Sequence, residues 1–124
     1  MTTPIPTEIN LHQKSGILKI GFNTEEQFEL TCEYLRVYSP SAEVRGHAPG
    51  EEVLQIGKAD VKIEKIEPVG NYAIQLNFDD GHDTGIYSWD WLYHIAKNQE
   101  QLWQKYLQDL EAAGQQRAPS NNPK

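Results

Sequence analysis

Five consecutive residues, Asp79-Asp80-Gly81-His82-Asp83, bring three carboxylates and an imidazole together. Oxygen and imidazole donors suit iron or another divalent cation. His47, in Arg45-Gly46-His47, supplies a second imidazole if its loop packs on residues 79–83. His82 and His47 with Asp80 or Glu43 then make a two-histidine, one-carboxylate set with open positions, a pattern that suits ferrous iron. The same segment also reads as a hairpin turn. Asp tolerates turn geometry, Gly81 takes positive φ, and His82 bonds back to the loop 39–47. The turn reading is the stronger, and His47 as a surface loop histidine is the simpler assignment. The spacing does not match a calcium loop, which needs acidic residues at alternating positions and a distant Glu.

Arg36 and Arg45 bracket the loop. Their guanidinium forks match carboxylates, so they form either an anion clamp or internal ion pairs with Asp79, Asp80 or Asp83; the excess of acidic residues favours the pairs. Trp89, Trp91 and Trp103 with Tyr87, Tyr93 and Tyr106 concentrate aromatic surface. Such residues pack cores, line protein interfaces and build cages for quaternary ammonium groups, and core packing is the commonest of these uses. Trp89 and Trp91 point apart on a helix, which places one of them towards solvent. Cys32 sits between Glu29 and Glu33, which disfavour a thiolate, and reads as a small buried residue. Ser39 and Ser41 lack the Gly-x-Ser-x-Gly elbow of a hydrolase. Gly46 to Gly50 lacks the Lys-Ser/Thr ending of a phosphate loop. His12 and His94 read as ordinary strand and helix residues.

The elements that must position these groups follow from periodicity. Ile9 and Leu11, then Leu18, Ile20 and Phe22, then Phe28 and Leu30 alternate with polar neighbours, as half-buried antiparallel strands do. Asn23-Thr24-Glu25-Glu26 is a turn. Thr31 N-caps a short helix through Tyr34, Leu35 and Arg36. Residues 39–52 read as a polar loop. Strands are expected at Val53–Ile56, Val61–Ile66, Tyr72–Phe78 and Thr84–Tyr87, the last two joined by the Asp-Gly turn. Ser88 N-caps a helix over Trp89–Lys97. Asn98 caps a second, with Gln101 in the capping-box position and an apolar stripe of Leu102, Trp103, Tyr106, Leu107 and Leu110. Gly114 is a natural stop. Strands first and helices last predict an α+β fold: a small, mainly antiparallel sheet with C-terminal helices on one face or end. Residues 1–7 and 114–124 read as flexible tails around one domain, 8–113.

The chain has 124 residues, 38% of them hydrophobic, and a formal net charge of -7. That length supports one domain that buries about two-thirds of its surface without disulfides. The acidic balance argues against nucleic acid, whose binders carry a basic footprint. No apolar run approaches the ~20 residues that span a bilayer, and no signal sequence precedes Glu8. One cysteine forms neither an intrachain disulfide nor a cysteine-based metal site. A cytoplasmic location is the expectation.

Three stretches together carry a resemblance: Tyr34 to His47, Pro68-Val69-Gly70-Asn71-Tyr72-Ala73, and Phe78-Asp79-Asp80-Gly81-His82-Asp83-Thr84-Gly85-Ile86-Tyr87-Ser88-Trp89-Asp90-Trp91-Leu92. Over residues 8–113 the chain resembles small stand-alone bacterial proteins similar to the N-terminal domain of gamma-butyrobetaine hydroxylase. The resemblance implies the accessory part of that hydroxylase without its catalytic oxygenase domain. Fusion of related domains to P-loop ATPases that handle iron–sulfur clusters implies a partner of that kind. In the hydroxylase-type domain three cysteines and a histidine hold a structural zinc. The histidine matches His82, whereas Ser39, Ser41 and Val44 occupy the cysteine positions, so structural zinc is not expected. The functional expectation is a non-catalytic binding module that works through a protein partner, with Arg36, Arg45, His82, Trp89 and Trp91 as contact residues. The alternative is an iron-handling accessory protein that uses His82, His47 and Asp80.

Overall fold

A computed structural model of the chain describes residues 4–46 and 50–117. Its strands form two three-stranded antiparallel sheets rather than one, and the α+β expectation holds. The first sheet contains β1 (Pro6–His12), β2 (Ile17–Phe22) and β3 (Gln27–Thr31). Alternation sets its register: Ile20 lies opposite both Ile9 and Phe28, and Leu18 opposite both Leu11 and Leu30. These rows form one apolar face, because side chains two apart on a strand point the same way.

Thr31 ends the first sheet and starts α1 (Cys32–Val37), its hydroxyl accepting from the Tyr34 amide at 3.0 Å. Every residue of α1 is buried. The next segment departs from the expected loop. Ser41 accepts from the Glu43 amide at 3.2 Å and caps a one-turn helix, α2 (Ala42–Arg45). The strand expected at 53–56 does not form. Val53 and Ile56 face solvent, Gln55 is buried, and the Val53 amide bonds the Val44 carbonyl.

The second sheet contains β4 (Ile63–Val69), β5 (Ala73–Phe78) and β6 (Gly85–Ser88). β5 is its centre. Pro68 lies opposite Ile74 on an edge strand, where the absent amide hydrogen costs no ladder bond. Ile74, Leu76 and Phe78 are buried on one face, as their alternation predicts, while Tyr72 falls outside the strand and is exposed. Ser88 caps α3 (Trp89–Lys97), accepting from the Trp91 amide at 3.1 Å. Asn98 does not cap α4 (Gln99–Ala112) with its side chain; it turns back and donates to the His94 carbonyl at 2.9 Å.

Both sheets and the helices share one buried cluster that includes Leu18, Leu35, Leu76, Tyr87, Leu92 and Tyr106. Of the expected tails, residues 1–3 and 118–124 lie outside the described residues, and the described parts make contacts. β1 begins at Pro6, and Ile5 exchanges hydrogen bonds with Asn23. Gln116 and Arg117 accept from the amides of Gly57 and Ala59, and Arg117 grips Glu33 with two bonds. Among the described residues no helix is long and apolar enough to cross a membrane.

Candidate functional site

The turn between β5 and β6 organises itself. The Phe78 amide donates to the His82 carbonyl at 2.9 Å, and Asp80 accepts from the His82 amide at 3.2 Å. The other Asp80 oxygen accepts from Arg36 Nε at 2.9 Å and from Lys58 Nζ at 2.8 Å. Burial works against the Asp80 carboxylate, but Lys58, the His82 amide and Arg36 together hold its pKa at about 2. Arg36 also donates to Gln55 Oε1 at 2.8 Å. Arg36 is therefore an internal tie, as the ion-pair reading anticipated. Arg36 is 7% exposed, and its head points inward to these two partners.

His82 is 5% exposed and gives both ring nitrogens to the α1–α2 segment. Nε2 lies 2.8 Å from Ser39 Oγ, and Nδ1 lies 3.1 Å from Glu43 Oε1. A carboxylate only accepts, so Nδ1 carries the proton and Ser39 donates to Nε2. Burial, then the nearby Arg36 charge, lowers the imidazole pKa, and Glu43 opposes them. A hydroxyl, an imidazole and a carboxylate in series have the connectivity of a catalytic triad. Here the hydroxyl is fully buried and already accepts from the Ser41 amide. Gly85 closes over it: a Cβ at that position would lie 2.6 Å from Ser39 Oγ. A substrate carbonyl has no approach to this oxygen, so the series clasps the hairpin to the α1–α2 segment.

The positions that the resemblance links to zinc lie on the α1–α2 segment beside the hairpin. Ser39 touches His82, Val44 is buried, and Ser41 bonds Thr84 Oγ1 at 2.7 Å. Two hydroxyls and an isopropyl group do not fit zinc, which takes thiolate, imidazole or carboxylate donors. Among the described residues no group of three or more His, Cys, Asp or Glu side chains is placed to hold a metal ion. Of the residues expected to bind iron, Asp80 and His82 are adjacent but committed to the partners above, and His47 lies outside the described residues.

Arg45 and Trp91 meet elsewhere. They line a cleft of about 480 Å³, with Tyr38, Gln55, Leu102 and Tyr106 among its other walls. The Arg45 guanidinium lies over Tyr38 at 5.3 Å and over Trp91 at 5.9 Å. One of its terminal nitrogens donates to the Val37 carbonyl at 3.1 Å, while Nε is buried without a partner. Burial lowers the Arg45 pKa, although a guanidinium keeps its charge. Trp91 Nε1 donates to the Tyr38 carbonyl at 2.8 Å, Tyr38 to Leu102 at 2.7 Å and Tyr106 to Gln55 at 2.7 Å. These bonds fix the walls. Trp89 lies apart from the cleft, its indole donating to Asn71 at 2.9 Å. Tyr38, His94, Lys105 and Tyr106 line the cleft without having been singled out as a group. His94 follows Trp91 by three residues, a spacing that places both on one helix face; the approach of α4 has no comparable local signal.

The family model described as "Gamma-butyrobetaine hydroxylase-like, N-terminal" matches residues 9–93. Two proteins with NMR solution structures are similar over nearly the whole chain. One is 44% identical, with a TM-score of 0.84 and coverage of 98% of this chain and 96% of that one. The other is 54% identical, with a TM-score of 0.80 and coverage of 96% and 92%. A crystal structure of a protein of unknown function from Acidithiobacillus ferrooxidans, of the DUF971 family, is 34% identical, with a TM-score of 0.62 and coverage of 73% and 91%. Comparison with curated proteins finds no match.

Proposed function

The chain belongs to the gamma-butyrobetaine hydroxylase-like, N-terminal family, and from that premise we propose that it is a non-catalytic binding module acting through protein contacts at the Arg45–Trp91 cleft. One observation carries this reading. A half-buried guanidinium lies over two aromatic rings in the wall of an open cleft. Arginine, tryptophan and tyrosine are the side chains that dominate binding energy at protein interfaces. The cleft volume lies in the range of ligand pockets. The buried hairpin clasp supports the cleft from behind: Arg36 bonds Gln55, whose backbone carbonyl receives Tyr106.

A photoreactive benzoylphenylalanine at position 94, on the cleft rim, tests the proposal against the same group at position 65, on β4. In cells that naturally make the protein, position 94 is expected to yield a discrete covalent adduct that disappears with Arg45→Gln. Position 65 is expected to yield none. Equal labelling at both positions, or none at 94 in protein with a native amide spectrum, overturns the cleft as the contact surface.

A further inference from the structure

We propose that the cleft takes a peptide segment bearing a carboxylate, which sits on Arg45 while the adjoining apolar side chain packs against the Leu102 and Tyr106 wall. This rests on the binding reading above and adds the chemistry of the occupant. The chain's three arginines are all among the described residues. Arg36 holds Asp80 and Arg117 holds Glu33, each through a charged hydrogen bond. Arg45 has no carboxylate within ion-pair distance among the described residues, Glu52 acts on its charge only from further off, and its Nε is unpartnered. A half-buried guanidinium with no close counter-ion leaves room for an acidic partner in the cleft.

Neither acid lining the cleft pairs directly with Arg45, although Glu52 acts on it from a distance. Glu52 accepts from the Gly50 amide at 3.1 Å, and Asp109 pairs with Lys105 at 2.8 Å. A cationic occupant is disfavoured, because the chain's own guanidinium already covers the Tyr38 and Trp91 faces. A carboxylate matches the guanidinium fork and the Leu102 and Tyr106 wall supplies apolar contact. The net charge of -7 repels an acidic ligand at a distance. Added salt screens that repulsion beyond about 8 Å and leaves the local pair largely intact.

The test is a titration of the full chain with N-acetylleucine and, separately, N-acetylleucinamide, which keeps the apolar body and removes the charge. The readouts are the Arg45 Nε–H and Trp91 Nε1–H resonances. The acid is expected to give saturable shifts and to bind at least about tenfold more tightly than the amide. Arg45→Gln is expected to remove that difference. Arg45→Lys, which keeps the charge but not the fork, serves if the Gln variant does not fold, and is expected to reduce the difference. Equal binding of acid and amide, no saturable shift with the acid, or an undiminished preference in the folded variants overturns the proposal. A position-94 adduct alongside equal acid and amide binding rejects the carboxylate and keeps the partner surface. Loss of both rejects the cleft altogether.

Discussion

Ser39, His82 and Glu43 show how burial decides what one arrangement of atoms does. With the hydroxyl open to solvent, the series would activate a nucleophile. With the hydroxyl sealed, the same bonds tie two segments 43 residues apart. His82→Ala removes two side-chain bonds and a ring beside Phe78, and is expected to cost about 2–4 kcal/mol in urea unfolding. An unchanged midpoint would reject the clasp. The pH dependence has a definite sign. The folded imidazole, which faces Ser39, Glu43, Arg36 and Asp80, binds its proton less readily than the unfolded one. Stability from this group is therefore present above the unfolded pKa of about 6.5 and declines as pH falls below it, by at most about 1.4 kcal/mol per unit. Asp80, held at about 2, adds a separate loss only as pH falls from its ordinary value of 3.8 towards about 2. Urea midpoints for the parent should fall between pH 7 and 5, and His82→Gln should flatten that decline. Parallel profiles would remove His82 as the source.

Elements were legible where the governing contact is local. The Thr31 and Ser88 caps each satisfy an amide three residues ahead, so type and spacing were enough to place them. The strand faces of β2 and β5 follow from alternation alone. Asn98 was misread because its amide finds the His94 carbonyl behind it as readily as the helix ahead. The false strand at 53–56 has β-branched residues but no strand partner, and propensity does not supply one. α2 has a single turn, too short for periodicity to show. These differences predict unequal cap variants. Ser88→Ala should cost about 1 kcal/mol, and Asn98→Ala less than about 0.5, because it makes no cap bond to α4. Comparable losses in thermal unfolding would contradict the assignments. Gly85→Ala belongs to the same scale. Its methyl group meets Ser39 Oγ and the Tyr87 ring, so β6 must back away from α1 at an expected cost of about 1–3 kcal/mol. A neutral Gly85→Ala would mean that β6 and the Ser39 segment are not in contact.

At the scale of the molecule, the sequence indicates which faces are apolar but not which faces meet. The Arg36–Asp80 pair spans 44 residues, and the Trp91 bond to Tyr38 spans 53. No window of local pattern contains either, and the two-sheet arrangement and the cleft were illegible for that reason. The C-terminal segment makes the point most sharply. Its composition reads as a tail, yet Arg117 reaches back 84 residues to Glu33 with bonds of 2.7 and 2.9 Å. Its guanidinium also lies over Trp103 at 5.5 Å. Glu33 is the reason this matters: its side chain is 7% exposed on the buried helix α1, whereas Arg117 remains 48% exposed. Removing the guanidinium leaves a largely buried carboxylate without its ion partner. Partial exposure of Arg117 discounts the full penalty of a broken buried pair, leaving an expected loss of about 1–3 kcal/mol for Arg117→Ala. The double variant Arg117→Ala with Glu33→Gln should be more stable than Arg117→Ala alone, because it removes the stranded charge. Urea unfolding of the three chains decides it. Equal midpoints for the parent and Arg117→Ala would return the segment to a tail, while recovery in the double variant would make it part of the domain, fastening α1 and α4 together from outside.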